Sequence, residues 1–361
     1  MIDKVFPILA KALKVTYCDR FDKALSTITS SSQDICLFSV EQSVPEKFLT
    51  MILTQRFWSL CFKTFVYEMH VYREQMKLPI DTNSSEAFNL FLAHFSTDTI
   101  QNWFVKYPVL KSMVTSAIDG LFDFSVELFS NLQKDSKHLV DSGLIGAGSQ
   151  IDDAILLGSD WHNRSRCVVA FSVDSTPAVV YKPKSLAVDV CFDKLFHIIS
   201  RNEDEFLSPV PLTLNYDAYG WQRFISARPI ADSLLGESFR KLGFVSALLT
   251  AMGASDIHDE NLVFSDGHPF LIDLETAMQS RSVQFSTDLS GCLLKTLFRS
   301  ICSTSIIPAK LPTVPRNLLI GAINTPYPQQ TSGKMFVIRN AGTDGMDIVK
   351  ENTTFPVLLS Q

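Results

Sequence analysis

The period of the apolar residues changes near Gly143, and no other feature limits the fold as much. Before that point hydrophobic side chains recur every three or four residues with charges between them. The stretches "RFWSLCFKTFVYEMHVYREQMKL" and "AIDGLFDFSVELFSNLQKDSKHLV" therefore predict amphipathic helices. "DTNSSEAF" carries a helix-start signal, with Asn83, Ser84 or Ser85 as the cap, and "KYPVL" reads as a break between helices. Beyond Gly143 the texture is different. "RCVVAFSVDSTPAVVYKPK" alternates, is rich in Val and has "DSTP" at its middle, which predicts a β-hairpin. "LAVDVCFDKLFHIISRN" returns to helical spacing, "FLSPVPLTLNYDAYGWQRFI" to strand and turn, and "DSLLGESFRKLGFVSALLTAMG" to helix. "NLVF" and "PFLID" then bracket the turn "SDGH". Helices first and a mixture of strands and helices afterwards predict an α+β chain with a helical N-terminal region.

Composition narrows what such a chain does. Hydrophobic residues make up 46% and charged residues 19% of the 361, which is the balance of a globular protein. The net charge of −6, with no Lys/Arg stripe, argues against a nucleic-acid partner. Seven cysteines, odd in number and without a C-x-x-C pair, speak against a disulfide framework or a zinc knuckle and favour a reducing cytoplasm. The N-terminal "MIDKVFPILAKALKV" makes a poor signal peptide. Arg56 and Lys63 interrupt the apolar run "FLTMILTQRFWSLCFKTFVYEM", so it is expected to be a buried helix and not a transmembrane segment.

The chemistry concentrates in "SDIHDENLVFSDGHPFLIDLE", Ser255 to Glu275. A phosphoryl-transfer site needs a carboxylate beside the accepting hydroxyl and hard oxygen ligands that hold magnesium on the phosphates. Kinases take these from an Asp, an Asn five residues on, and an Asp after a short hairpin. Asp256, Asn261 and Asp273 have that arrangement. The bland alternative is a surface hairpin with incidental acids. Upstream, "AVVYKPK" puts Lys182 on the second arm of the predicted hairpin, where a kinase keeps its phosphate-binding lysine. The segment "GLIGAGSQIDDAILLGSD" has glycines but no G-x-G-x-x-G.

With "SDWHNRSRCVV", "VVYKPKSL", "AYGWQRFI" and the acidic segment in that order, the chain resembles the dehydratase region of class II lanthipeptide synthetases, the LanM family. Weaker echoes are "EMHVYREQMKL", "YPVLKSM" and "NAGTDGMDIVKENTTFP", so the resemblance runs along nearly the whole chain. It implies a lipid/protein-kinase-like two-lobe fold with an added helical region: helices over 1–142, an N-lobe over 143–228 and an incomplete C-lobe over 229–361. It implies ATP and Mg²⁺ as cofactors and Ser/Thr of a ribosomal precursor peptide, leader plus core, as substrate, phosphorylated and then dehydrated. By motif, Lys182 would contact ATP, Asp256 would orient or deprotonate the hydroxyl, and His258 would support the loop. Asn261 and Asp273 would hold Mg²⁺, Asp160 and His162 would serve phosphorylation, and Glu275 would stand behind the metal. The family's zinc-binding cyclase has no counterpart cluster, so zinc is not expected. Arg299 and Thr304 sit too early to match the family's elimination residues, so that step is not assigned to this chain. A fragment and a kinase-only relative both fit, the latter with a separate chain for elimination or cyclisation. Two other readings are a small-molecule phosphotransferase of aminoglycoside or choline kinase type, and an inactive remnant that binds a leader peptide.

Overall fold

The computed structural model describes residues 1–30, 37–158, 161–200, 207–258, 260–278, 284–307, 321–323 and 329–355. The chain divides into two compact units, Met1–Pro183 with Phe336–Lys350, and Lys184–Met335 with Glu351–Gln361.

The first unit begins with α1 (Ile2–Thr16), α2 (Cys18–Ser30), a short strand β1 (Ser39–Val40) and the long α3 (Val44–Gln75). It continues through α4 (Glu86–His94), α5 (Thr97–Lys106), α6 (Pro108–Lys134) and α7 (Ser136–Asp141). Leu49, Leu53, Phe57, Cys61, Phe65 and Met69 of α3 are buried and spaced by four. Four residues overshoot the 3.6-residue turn, so this apolar line drifts around the axis and needs partners on several sides. α1, α2, α4 and α6 supply them. The expected buried helix is thus found, and no helix among the described residues is long and apolar enough to cross a membrane. Phe65 sits at the centre of an aromatic cluster, edge-on to Trp58, Phe91 and Trp103. Pro45 and Pro108 lie in the first turns of α3 and α6, where a missing N–H costs nothing, and Pro108 enforces the break expected at "KYPVL".

The start of α4 departs from expectation. Ser85 occupies the cap position but its side chain makes no capping bond. Ser84 Oγ does accept the Glu86 N–H, at 3.1 Å. The main acceptor comes from far along the chain: Asp344 takes the N–H groups of Glu86 (3.1 Å) and Phe88 (2.9 Å) and the Ser84 hydroxyl. Burial works to raise the Asp344 pKa, but the Ser84 hydroxyl and the N–H groups of Phe88, Ala87 and Glu86 hold it below the usual carboxylate value. Buried Arg73 fixes the same turn by donating to the Asp344 carbonyl, at 3.1 Å.

Strands β2 (Gln150–Leu156), β3 (Val169–Val173) and β4 (Thr176–Lys182) follow in the first unit, with β1 parallel to β2, β2 antiparallel to β3 and β3 antiparallel to β4. β3 and β4 are the hairpin expected from "RCVVAFSVDSTPAVVYKPK". Asp174 and Ser175 at its tip have φ of +51° and +59°, the two-residue turn that suits the twist of the strands. Phe171 of β3 packs edge-on against Phe129 of α6.

The second unit contains α8 (Ala187–Ile199), β5 (Thr213–Asn215), β6 (Gly220–Arg223), α9 (Leu235–Ala251), β7 (Leu262–Ser265), β8 (His268–Leu271) and α10 (Leu289–Phe298). β5 pairs with β6 and β7 with β8, each antiparallel. Phe192 and Phe196 of α8, Leu242 and Leu249 of α9, and Leu262 and Leu271 of the second hairpin share one buried core. β9 (Gln329–Arg339) and β10 (Asp347–Phe355) pair as a two-stranded ribbon, and its turn carries Asp344.

Candidate functional site

The acidic segment begins where α9 stops. Gly253 has φ +65°, its N–H bonds to Thr250 O (3.1 Å), and the Ala254 N–H reaches Leu249 O (2.9 Å). This is the left-handed ending that glycine makes easy, closed by contact between buried Ala254 and Leu249. It turns the chain sharply into Ser255. Ile257 anchors the loop: its side chain is buried, and its N–H bonds to Thr304 O at 2.9 Å. Thr304 is itself buried and turns its hydroxyl to Ile301 O, so its side chain serves the support beneath the loop.

Around that anchor the polar residues are tied to one another. Asp256 is exposed, with φ +61°, a conformation Asp tolerates better than most side chains. Asn261 Nδ2 donates to the Asp256 carbonyl at 2.8 Å, and the Asn261 N–H to His258 O at 3.0 Å. His258 Nδ1 accepts the Glu260 N–H at 3.2 Å, and its Nε2 lies 3.4 Å from Asn261 Nδ2. With its nitrogen donating to Asp256 O, the Asn261 side chain has its amide oxygen as acceptor.

Asp273 is brought up by the hairpin. Asp266 and Gly267 form the turn with φ of +51° and +76°, the conformation that an Asp-Gly pair favours. β7 and β8 then run in register from Ser265 and His268 to Leu262 and Leu271. One step further the Ile272 N–H bonds to Asn261 O at 3.0 Å, so Asn261 lies opposite the residue before Asp273 at the open end of the hairpin. Asp273 faces Lys184, whose ammonium lies 2.9 and 2.8 Å from the two carboxylate oxygens and 2.7 Å from Glu275 Oε2. Burial pulls the Lys184 pKa down, but Asp273 and Glu275 outweigh it and the net shift is upward.

The donor set suits magnesium. That ion takes one or two carboxylates and completes its shell with water and phosphate oxygens. Asp273 and the Asn261 amide oxygen are hard donors from the two strand ends of one hairpin. Among the described residues no group of three His, Cys, Asp or Glu is placed to hold a metal, and a magnesium site of this kind needs none.

His162 and Lys182 belong to the first unit. His162 is exposed on a tight loop closed by two backbone bonds with Arg166, at 2.9 and 2.7 Å. Asn163, Arg164 and Ser165 all have positive φ, between 30° and 67°. Side chains distant in sequence hold this conformation. Glu127 of α6 takes a bidentate bond from Arg166, with one contact at 2.7 Å, and the Tyr181 hydroxyl also reaches it. Arg56 of α3 lies 5.0 Å over the Trp161 ring and donates to Ser165 Oγ. Gly120 of α6 admits the loop, because a Cβ there would stand 2.3 Å from Arg164 O. Lys182 is buried at the end of β4. Asp160 lies outside the described residues.

Sequence reasoning passed over Lys184, although "YKPK" shows it two residues after Lys182. It also passed over Arg166 with Glu127, a pair for which no local signal exists.

The Lactococcus lactis subsp. lactis lacticin 481/lactococcin biosynthesis protein LcnDR2 is 24% identical over 284 residues, 75% of this chain and 30% of that protein. The chain thus spans under a third of the length of that relative. The model of a family described as a domain of unknown function, DUF4135, matches residues 107–358. Both findings support the resemblance to LanM synthetases drawn from the motifs, and the match over more than half of its length places the chain in the DUF4135 family.

Proposed function

We propose that this chain acts in lanthipeptide biosynthesis as a kinase-like enzyme, using ATP and Mg²⁺ to phosphorylate Ser and Thr of a ribosomal precursor peptide on the way to their dehydration. The observation that carries the reading is the tethering of Asn261 to Asp256 on one side and to the neighbour of Asp273 on the other. The loop after α9 and the hairpin it feeds thereby carry a proton acceptor and two hard oxygen donors. The name of the lactococcal relative supports the substrate class.

Magnesium, when bound, would offset charge on the phosphates of ATP. The chain's own residues do the rest. Exposed Asp256 orients the peptide hydroxyl and takes its proton as the hydroxyl oxygen bonds to the γ-phosphorus. The bond from that phosphorus to the β–γ bridging oxygen breaks, and ADP leaves. His258, through the Glu260 N–H, keeps the loop in the shape that exposes Asp256. The motif match assigns Lys182 to the nucleotide phosphates and Asp160 with His162 to the phosphorylation step.

Mass spectrometry of a precursor peptide incubated with the chain, ATP and Mg²⁺ tests this. Phosphate adducts are expected, and Asp256→Asn should reduce their rate of formation by at least ~100-fold, the scale of a lost general base. Peptide left unmodified by the wild-type chain, or an Asp256→Asn variant of undiminished rate, would overturn the reading.

A further inference from the structure

The ammonium of Lys184 has three carboxylate oxygens around it, at 2.9, 2.8 and 2.7 Å. Two belong to Asp273, the residue assigned above to the metal, and the third to Glu275. A cation astride both oxygens of a carboxylate stands where a divalent ion would approach it. It also leaves Asp273 no unengaged oxygen, since Oδ1 additionally accepts the Glu275 N–H at 3.1 Å. Lys184 follows Pro183 in the short connection between β4 and α8, and its side chain is one-third exposed. Its flexible stem can withdraw the charge into solvent without moving either element.

Resting on the magnesium reading of Asp273, we infer that Lys184 is a built-in counter-cation that occupies the metal position of this carboxylate and leaves it when a divalent ion arrives. Without it, Asp273 and Glu275 would lose the cation they share at a half-buried loop. With it, the loop keeps its shape in the empty state, and metal binding becomes an exchange of one cation for another. The exchange weakens binding of the bare ion and favours an ion delivered with a nucleotide, whose phosphates offer the displaced ammonium a new partner. No covalent step is involved.

Binding of Mn²⁺ to the nucleotide-free full chain, read by electron paramagnetic resonance, separates this from a bracing role. Lys184→Gln should bind Mn²⁺ about tenfold more tightly than wild type, the effect of removing one contacting positive charge in a partly solvated place. Lys184→Arg, which keeps the charge, should show no gain. Asp273→Asn should lose binding in every background. A folded Lys184→Gln variant with unchanged or weaker binding, against a wild type that binds through Asp273, would overturn the counter-cation and leave the metal assignment standing. Absence of binding in wild type and both lysine variants would overturn the metal assignment and this inference with it. Should Lys184→Gln fail to fold, amine labelling of the wild type gives the same answer. Lys184 should become more reactive when Mn²⁺ is added, and unchanged labelling at saturating ion would refute the exchange.

Discussion

Two loops of this molecule carry the residues matched to phosphorylation, and they are held in opposite ways. The loop after α9 is tied largely by its own residues, from Asn261 to Asp256 and His258 and from Glu260 to His258, with longer-range bonds from Ile257 to Thr304, Ile272 to Asn261 and Thr276 to Ser255. The loop at His162 closes on Arg166, but its shape is imposed by Arg56, Gly120 and Glu127 from α3 and α6. The helical region thus does more than pack. It sets the backbone of a loop that begins about thirty residues beyond α6, and three consecutive residues of positive φ persist because distant contacts over-determine them.

If this contrast is right, long-range supports should matter more than local ones. The largest effect is expected at the α4 cap. Asp344→Ala removes a buried acceptor of three bonds and should destabilise the first unit by about 2 kcal/mol. Gly253→Ala, at the local end of α9, should cost about 1 kcal/mol. Thermal unfolding of the two variants checks the order, and a larger loss at Gly253 would break the comparison.

Alkaline pH sharpens it. Burial pushes the thiols of Cys61 and Cys167, in α3 and beside Arg166, up to about 12 from 9.0. An unfolded thiol gives up its proton near the ordinary value while the folded one retains it. The stability from each is therefore whole below pH 9 and is lost between there and about 12, at about 1.4 kcal/mol per pH unit. Lys184 in the second unit is shifted upward from an ordinary value of 10.5, so its contribution survives to higher pH. Hydrogen exchange at pH 10 should show α3 and β3 losing protection first. Cys61→Ala should flatten that dependence, and equal loss in both units would remove the distinction.

The smallest effect is expected at Glu127. Its pair with Arg166 is about one-third exposed, so Glu127→Gln should cost at most ~1 kcal/mol of stability. Its larger signature should be a slower phosphorylation rate with unchanged Mn²⁺ affinity, because the change reaches the His162 loop and leaves the loop after α9 intact. Unchanged phosphorylation would reduce the pair to surface decoration.

Much of this protein was legible in one dimension. The switch of period near Gly143, the "DSTP" and "SDGH" turns, the break at Pro108 and the Gly253 ending are local choices of backbone, set within a few residues and visible as such. Part of the acidic loop belongs with them, since the bonds from Asn261 to Asp256 and His258 span five residues or fewer. The sequence also displayed Lys184 without its role, because an ammonium becomes the partner of Asp273 and Glu275 only when the chain between them has folded back. The same holds for the cap of α4, expected from Asn83, Ser84 or Ser85 and supplied mainly by Asp344. A helix start exposes N–H groups that accept any well-placed oxygen, and a buried carboxylate outcompetes a neighbouring hydroxyl. Local spacing therefore determined the elements and the loop chemistry of this chain. Tertiary structure alone decided which distant charges complete them, because a charge is satisfied by proximity in space and carries no mark of its partner in sequence.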